Sequence, residues 1–173
     1  MKIEIRIAGF GGQGVVLAGQ ILGKAAVTDG KNAVQTQTYG AEARGSAAKS
    51  EVIISNDKIG FPLVRKCDIL VAMNQEAVDK NTKDLKENGI LIVDSSNVTS
   101  APETKVTVIK VPATQLAQAF CGEKLYANIV MLGALIRATR IINERSMRKA
   151  IDSSVPNKAA ASNLLAFERG FTH

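Results

Sequence analysis

Residues 9–14 form the pattern with the clearest chemical meaning in this chain. They read Gly-Phe-Gly-Gly-Gln-Gly, a G-x-G-x-x-G fingerprint between an expected strand and an expected helix. Glycines that end a strand and open a helix expose backbone N–H groups, and the helix dipole favours an anion there, usually a phosphate. The simpler alternative is that the glycines only permit a tight turn and close helix packing. The first reading makes Gly9, Gly11, Gly12, Gln13 and Gly14 candidate residues for holding an anion or cofactor.

A second candidate segment covers residues 35–46, which read Gln-Thr-Gln-Thr-Tyr-Gly-Ala-Glu-Ala-Arg-Gly-Ser. It directly follows an expected strand, at the sheet edge where α/β proteins place binding loops. We expect Tyr39, Glu42, Arg44 and Gly45 to face an interface or an active site. In the alternative reading this is a plain loop, and Glu42 and Arg44 are solvated charges.

A nicotinamide dinucleotide site is disfavoured by the second expected strand. Such a site uses an acidic side chain at the end of that strand, about 20 residues beyond the glycines, to bind the ribose hydroxyls. Here the strand ends in Gln-Thr-Gln-Thr at residues 35–38. The only acid nearby is Asp29, which we expect at the end of the first helix.

Residues for catalysis or metal binding are sparse. The only histidine is the terminal His173, so a Ser-His-Asp or Cys-His arrangement would depend on the chain end. Cys67 and Cys121 are far apart and form no C-x-x-C motif, which leaves a disulfide framework, a zinc site and an iron–sulfur cluster unsupported. Residues 94–97 are more typical of a capped turn than of a phosphate site. We therefore predict no catalytic residue and no metal ligand in this chain.

The elements that position these residues follow an alternating pattern of strands and helices. We predict an α/β, Rossmann-like domain over residues 1–173, with a mostly parallel sheet, flanking helices and a helical C-terminal third. The expected strands are residues 3–8, 33–38, 50–55, 69–73, 89–94 and 105–111; the expected helices are residues 15–27, one capped by Asn74, and later ones within 126–136, 143–152 and 157–171.

Three local details accompany that assignment. Small Gly14 and Ala18 are expected to let the first helix lie close to the sheet. The helix capped by Asn74 is expected to carry an Asp79 to Lys83 pair at i, i+4 and to end just before Gly89. Pro156 is expected to separate the last two helices.

Composition narrows the function classes. With 173 residues, 46% hydrophobic and 22% charged, the chain is typical of a globular protein. It has no apolar run near 20 residues and no leader pattern, so we expect a cytoplasmic protein without a membrane span. The net charge of +6 comes from scattered lysines and arginines, with few aromatic residues for base stacking, so nucleic-acid binding is not expected.

These residues together resemble the gamma subunits of the 2-oxoacid:ferredoxin oxidoreductases, and most of all the 2-oxoglutarate branch. The resemblance lies in residues 8–14, 35–45, 50–55 and 68–74, and it extends over the whole chain in order and size. Two departures affect the second segment, because the family commonly has proline at Ala41 and a second glycine at Ser46.

The resemblance implies a subunit of an enzyme that converts a 2-oxoacid and coenzyme A to an acyl-CoA, carbon dioxide and reduced ferredoxin. It implies that alpha and beta, and in some members delta, subunits hold thiamine diphosphate, magnesium and iron–sulfur clusters. Coenzyme A could then touch the surface of this chain, which would bind no cofactor firmly. Ferredoxin would be reached through the complex.

Several alternatives stay open at this stage. The complex could instead use pyruvate, 2-oxoisovalerate or indolepyruvate. The chain could also be a free-standing nucleotide-binding protein, or a regulatory or scaffolding module that binds no small molecule.

Overall fold

The computed structural model describes residues 1–41, 46–102 and 105–173 of the chain. Within those residues it contains six strands and six α-helices. The strands are β1 (Lys2–Phe10), β2 (Asn32–Tyr39), β3 (Ala47–Ser55), β4 (Cys67–Ala72), β5 (Leu85–Asp94) and β6 (Thr107–Val111). The helices are α1 (Val15–Thr28), α2 (Gln75–Asn81), α3 (Ala113–Cys121), α4 (Ala127–Thr139), α5 (Glu144–Ser154) and α6 (Asn157–Thr172).

The strands form a single sheet in the order β2-β3-β1-β4-β5-β6. β1, β4, β5 and β6 pair in parallel, whereas β3 is antiparallel to both of its neighbours. Five strands therefore run in one direction and β3 runs against them. The expected α/β, mostly parallel architecture with a helical C-terminal third is confirmed, and the antiparallel β2–β3 hairpin is a feature that the sequence did not reveal.

Two cores cover the two faces of the sheet. The larger core contains Ile5, Ile54 and Val71 from the strands, packed against α1, α4 and α5 and extended by α3 and α6. The smaller core, on the opposite face, contains Leu70 and Val78 and is covered by α2. Alternation of side chains along each strand supplies both cores at once, which explains the nearly continuous apolar sequence of these strands.

The second helix is shorter than expected. Asn74 caps it as predicted, because its Oδ1 accepts a hydrogen bond from the backbone N–H of Ala77 at 2.8 Å. The helix ends at Asn81, and Gly89 lies inside β5 rather than just beyond the helix, so that expectation was wrong. Lys83 falls in the 3-10 turn after the helix, and Asp79 instead accepts a hydrogen bond from Gln75.

Close packing of α1 depends on a different glycine from the one expected. A Cβ at Gly19 would overlap the Ser50 side chain of β3, so Gly19 brings the helix against the sheet. Gly14 instead faces α4, where a Cβ would lie 3.0 Å from the Cγ of Asn128. Ala18 is buried as expected.

Helices α4 and α6 cross with almost no side chain between them. A Cβ at Gly133 would lie 2.7 Å from the backbone N of Phe171, and one at Gly170 would lie 2.8 Å from the carbonyl carbon of Val130. Each glycine thus admits the backbone of the other helix. No helix in the described parts of the chain is long and apolar enough to cross a membrane.

Candidate functional site

The carboxyl ends of the five co-directional strands meet at one edge of the sheet, which we call the rim. In open α/β sheets this edge holds ligands, at the point where the connections diverge to opposite faces. Here that point lies between β1, which continues into α1 on one face, and β4, which continues into α2 on the other. The rim comprises the glycine loop (residues 9–14), residues 39–41 and 46, residues 73–74, residues 94–97 and residues 112–114.

Gln13 spans the space between β1 and β4 at the rim. Its Oε1 accepts hydrogen bonds from the backbone N–H of Phe10 and from Nδ2 of Asn74, both at 2.8 Å. Its Nε2 donates to the carbonyl of Met73 at 3.3 Å. The Gln13 carboxamide, expected as a donor for a ligand, is therefore engaged within the chain.

The glycines of the loop differ in how much space surrounds them. A Cβ at Gly9 would lie 2.7 Å from Oε1 of Gln13 and 2.9 Å from Cβ of Met73. Gly14 has a φ of +71°, in the left-handed region that disfavours other residues. Gly12 is exposed, and a Cβ there would have no neighbour within 4 Å. The backbone N–H of Gly11 donates to the carbonyl of Ser46 at 3.1 Å, which ties the loop to the β2–β3 connection.

Gly14 also begins α1 without help from a capping side chain. Within residues 1–41, 46–102 and 105–173, no side chain caps the first turn of this 14-residue helix. Its free N–H groups and the helix dipole give the loop side of the rim a partial positive charge. This is the part of the glycine fingerprint that still favours an anion.

Tyr39 stands at the end of β2 and is 57% exposed, which is unusual for so large a side chain. It borders a cleft of about 290 Å³ between the β1–β3 surface and α2. Lysines 49, 80 and 83 line the same cleft, and Lys80 pairs with Glu76. That Tyr39 faces an interface or an active site stays a prediction. The lysines gave no signal in the sequence because they are scattered along the chain.

Glu42, Arg44 and Gly45, the other residues expected at this interface, lie outside the described residues. Their roles therefore stay predictions.

A second cleft, of about 370 Å³, lies on the other side of the glycine loop. Gly12 and Gln13 form one wall, and Lys124 and Leu125 form the opposite wall. Leu125 is 57% exposed. Exposed apolar side chains therefore stand on both sides of the loop, and the sequence gave no reason to select Leu125.

A buried arginine supports the wall of the first cleft. Arg6 is 2% exposed; its Nη1 donates to Oδ2 of Asp84 at 2.7 Å and its Nε donates to Oε2 of Glu51 at 3.1 Å. The same guanidinium reaches Oδ1 of Asn81 at 3.2 Å. The hydrogen bond from Arg6 holds the pKa of the Asp84 carboxyl below its usual value. The sequence signal for this residue is a cation between apolar residues inside an expected strand.

Asp94 is fully buried at the end of β5 and organises the neighbouring part of the rim. Its carboxylate accepts hydrogen bonds from the backbone N–H groups of Ser96 and Thr114 and from the Thr114 hydroxyl. It thereby caps its own turn, as predicted for residues 94–97. It also caps the start of α3, which the sequence did not indicate. Because a carboxylate already occupies that helix start, a second anion is disfavoured there.

The donor groups of this chain do not suit an iron–sulfur cluster. Such clusters are generally held by four cysteines, and the sequence has two. Cys67 is buried at the start of β4, where burial raises the pKa of its thiol to about 11, and Cys121 lies at the end of α3. Among the described residues, no group of three or more His, Cys, Asp or Glu side chains is placed to hold a metal ion.

Comparison with known proteins decides the family. The model of the pyruvate ferredoxin/flavodoxin oxidoreductase family matches residues 4–173. The chain belongs to this family. Subunit KorC of 2-oxoglutarate synthase from Methanocaldococcus jannaschii is 53% identical over 99% of this chain and 93% of its own length.

Two solved structures of the family share the fold. The gamma subunit of a keto/oxoacid ferredoxin oxidoreductase from Geobacter sulfurreducens is 44% identical, with a TM-score of 0.88 over 98% of this chain and 96% of that one. The 2-oxoglutarate:ferredoxin oxidoreductase of Magnetococcus marinus, solved with 2-oxoglutarate, coenzyme A and succinyl-CoA, is 25% identical, with a TM-score of 0.90. The match covers 99% of this chain and 30% of that one. The resemblance to gamma subunits of the 2-oxoglutarate branch is confirmed.

Proposed function

We propose that this chain is the gamma subunit of a 2-oxoglutarate:ferredoxin oxidoreductase. The complex converts 2-oxoglutarate, coenzyme A and oxidised ferredoxin to succinyl-CoA, carbon dioxide and reduced ferredoxin. The observation that carries this proposal is the 53% identity to a 2-oxoglutarate synthase subunit over nearly the full length of both chains.

The chemistry belongs to partner subunits in this proposal. Thiamine diphosphate supplies the carbanion chemistry of decarboxylation and iron–sulfur clusters carry the electrons away. The two separated cysteines and the lone terminal histidine of this chain provide neither a cluster site nor a catalytic triad. Its partners are the alpha and beta subunits, with a delta subunit in some complexes, and its place of action is the cytoplasm.

The rim is the surface that we assign to the partner subunits. It combines the open tip of the glycine loop with exposed Tyr39 on one side and exposed Leu125 on the other. Exposed aromatic and apolar side chains beside an open loop suit the core of a protein interface. In the Magnetococcus marinus enzyme, the matching region is about a third of a longer chain, so this fold is joined there to further residues of the same chain.

Coenzyme A is the one substrate that we propose to touch this chain. Its phosphates suit the start of α1, where no side chain caps the helix and Gly12 leaves space. Gly9, Gly11 and Gly14 shape that loop. Calorimetry of the lone chain with coenzyme A, NADH and NADPH tests this: weak or no NADH binding is expected, because no acid ends β2, and micromolar NADH binding would favour a free-standing dehydrogenase instead.

Reconstitution with its partners tests the proposed function. We expect viologen reduction that requires 2-oxoglutarate and coenzyme A only when this chain is combined with alpha and beta subunits. The lone chain with added thiamine diphosphate is the control, and turnover by it would overturn the assignment of the chemistry to partners. Failure to recover thiamine- and cluster-bearing partners in a native pull-down would favour the scaffolding alternative.

Substrate choice provides a separate test. We expect the native complex to have its highest kcat/KM with 2-oxoglutarate, compared with pyruvate, 2-oxoisovalerate and indolepyruvate. Exchange of this chain alone for a pyruvate-type gamma subunit should leave that preference unchanged. If pyruvate is preferred by the native complex, the branch is wrong although the family stands.

A further inference from the structure

The carboxamide of Gln13 has an orientation that its surroundings fix. The backbone N–H of Phe10 can only donate and the carbonyl of Met73 can only accept, so Oε1 must face the first and Nε2 the second. The third contact, from Nδ2 of Asn74 to Oε1 at 2.8 Å, agrees with that orientation. One side chain therefore forms hydrogen bonds with three polar groups, which lie at the ends of β1 and β4.

The first glycine of the fingerprint leaves room for this side chain and for Met73, whose Cβ would lie 2.9 Å from a Cβ at Gly9. A Cβ at Gly9 would lie 2.7 Å from Oε1 of Gln13, closer than van der Waals contact allows. The Gln13 side chain thus occupies the space between the ends of β1 and β4, whereas the start of α1 beside Gly12 stays open.

The contacts of Gln13 continue into three segments of the rim. Asn74, which donates to Gln13, also caps α2 through Oδ1. The N–H of Met73 donates to the carbonyl of Ala8 at 2.9 Å, and the N–H of Gly11 donates to Ser46. Gln13 therefore joins the glycine loop to the start of α2, and the backbone of Gly11 in the same loop joins it to Ser46.

We infer that Gln13 is a positioning residue for the reaction of the complex: its carboxamide holds the glycine loop in one conformation, so that the open tip at Gly12 meets the partner's reaction site in a fixed place. This inference rests on the proposed function. Gln13 touches no reacting atom; it acts through the backbone of the loop, and small displacements of positioned groups lower the rate of the chemical step.

Gln13→Met tests the inference because it keeps the length of the side chain and removes its donor and acceptors. In the reconstituted complex, we expect kcat to fall at least tenfold while the KM for 2-oxoglutarate stays within twofold. In the lone chain, hydrogen exchange at the backbone N–H of Gly11, which donates to the carbonyl of Ser46, should accelerate. The matched control is Gln118→Met on α3, which removes a hydrogen bond to the carbonyl of Gly122 just after that helix and should leave both quantities unchanged.

Asn74→Ser provides an independent variant, because serine keeps a helix cap and removes the donor to Gln13. We expect a smaller fall in kcat, and the double variant should be no worse than Gln13→Met alone, since both act through one contact. Full activity in Gln13→Met, or additive losses in the double variant, would overturn the inference. If Gln13→Met fails to assemble, wild-type kcat in Asn74→Ser overturns it. Absence of 2-oxoglutarate-dependent activity in the wild-type complex would instead contradict the proposed function.

Discussion

The crossing of α4 and α6 predicts that Gly133→Ala destabilises the protein although alanine is the better helix former. In the middle of a helix, replacing glycine by alanine contributes about 1 kcal/mol of stability by propensity. At Gly133 the new Cβ would lie 2.7 Å from the backbone N of Phe171 and closer still to the carbonyl oxygen of Phe167. Backbone atoms cannot move away as a flexible side chain can.

The magnitude follows from the displacement that this overlap demands. Real Cβ contacts begin near 3.0 Å, so α6 must move away from α4 over the crossing, and the apolar contacts around Ala166 and Phe167 are weakened. Overpacking of this kind costs about 3 kcal/mol at the upper end of the usual range. After the propensity gain, we expect a net loss of about 2 kcal/mol, which corresponds to a melting temperature lower by about 4–8 °C for a chain of this size.

Gly23→Ala is the matched control. Gly23 is also buried in the middle of a helix, but a Cβ there would lie 3.7 Å from Cβ of Gln35, an ordinary contact. We expect it to stabilise the chain by about 0.5–1 kcal/mol through helix propensity. Urea unfolding of the two variants and the parent, followed by circular dichroism, measures both changes. A Gly133→Ala variant as stable as the parent would refute the argument from the helix crossing.

Three further predictions concern other parts of the chain. Arg6→Met should lower the free energy of unfolding by about 2–3 kcal/mol, because it leaves partly buried carboxylates without a partner. Since the folded pKa of Asp84 is lowered, the stability that its ion pair contributes is present above about pH 4 and is lost as the pH falls through the folded value. Urea unfolding of the variant should therefore show a weaker loss of stability in acid than the parent shows. Glu42→Ala and Arg44→Ala should change the melting temperature of the lone chain little and lower assembly or turnover of the complex, and a large drop in melting temperature with normal turnover would make them structural residues. At pH 8 a thiol reagent should label only Cys121 in the folded chain, because Cys67 is buried and its pKa is about 11, and rapid labelling of both would contradict that burial.

The fold could be predicted from the sequence where the pattern is local. The apolar strand at Ile3 to Ala8, the cap at Asn74 and the capped turn after Asp94 depend on neighbouring residues, and the structure confirms each of them. The direction of β3 could not be predicted, because its apolar sequence fits a parallel or an antiparallel neighbour equally well. The end of α2 was misplaced because Gly89 was interpreted as the residue that ends the helix. In the structure it is a glycine inside the sheet, where a Cβ would come too close to the backbone of Asp68.

The sequence predicted which loops lie at the rim but not the contacts within them, and the roles of the candidate residues stay predictions. The glycine fingerprint and the exposed Tyr39 both lie at the rim, as expected. That Gln13 faces inward depends on Met73 and Asn74, which are about 60 residues away along the chain. The same is true of Arg6, whose partners lie on β3 and after α2. Contacts of this range are created by the topology, and no local spacing encodes them.

The antiparallel hairpin also bears on the order in which the chain folds. β2 and β3 are joined by a short connection and pair from Asn32–Ser55 to Tyr39–Ala48, whereas β1 must find β4 across the whole intervening chain. Because short loops lose less entropy on closure, we expect the hairpin to form early and to offer β3 as a template for β1. The parallel strands would then add outward from β1. The end of β2, which carries Tyr39, would thus be set before the glycine loop beside it, and the last part of the rim to form would be the end of β6 at the far edge of the sheet.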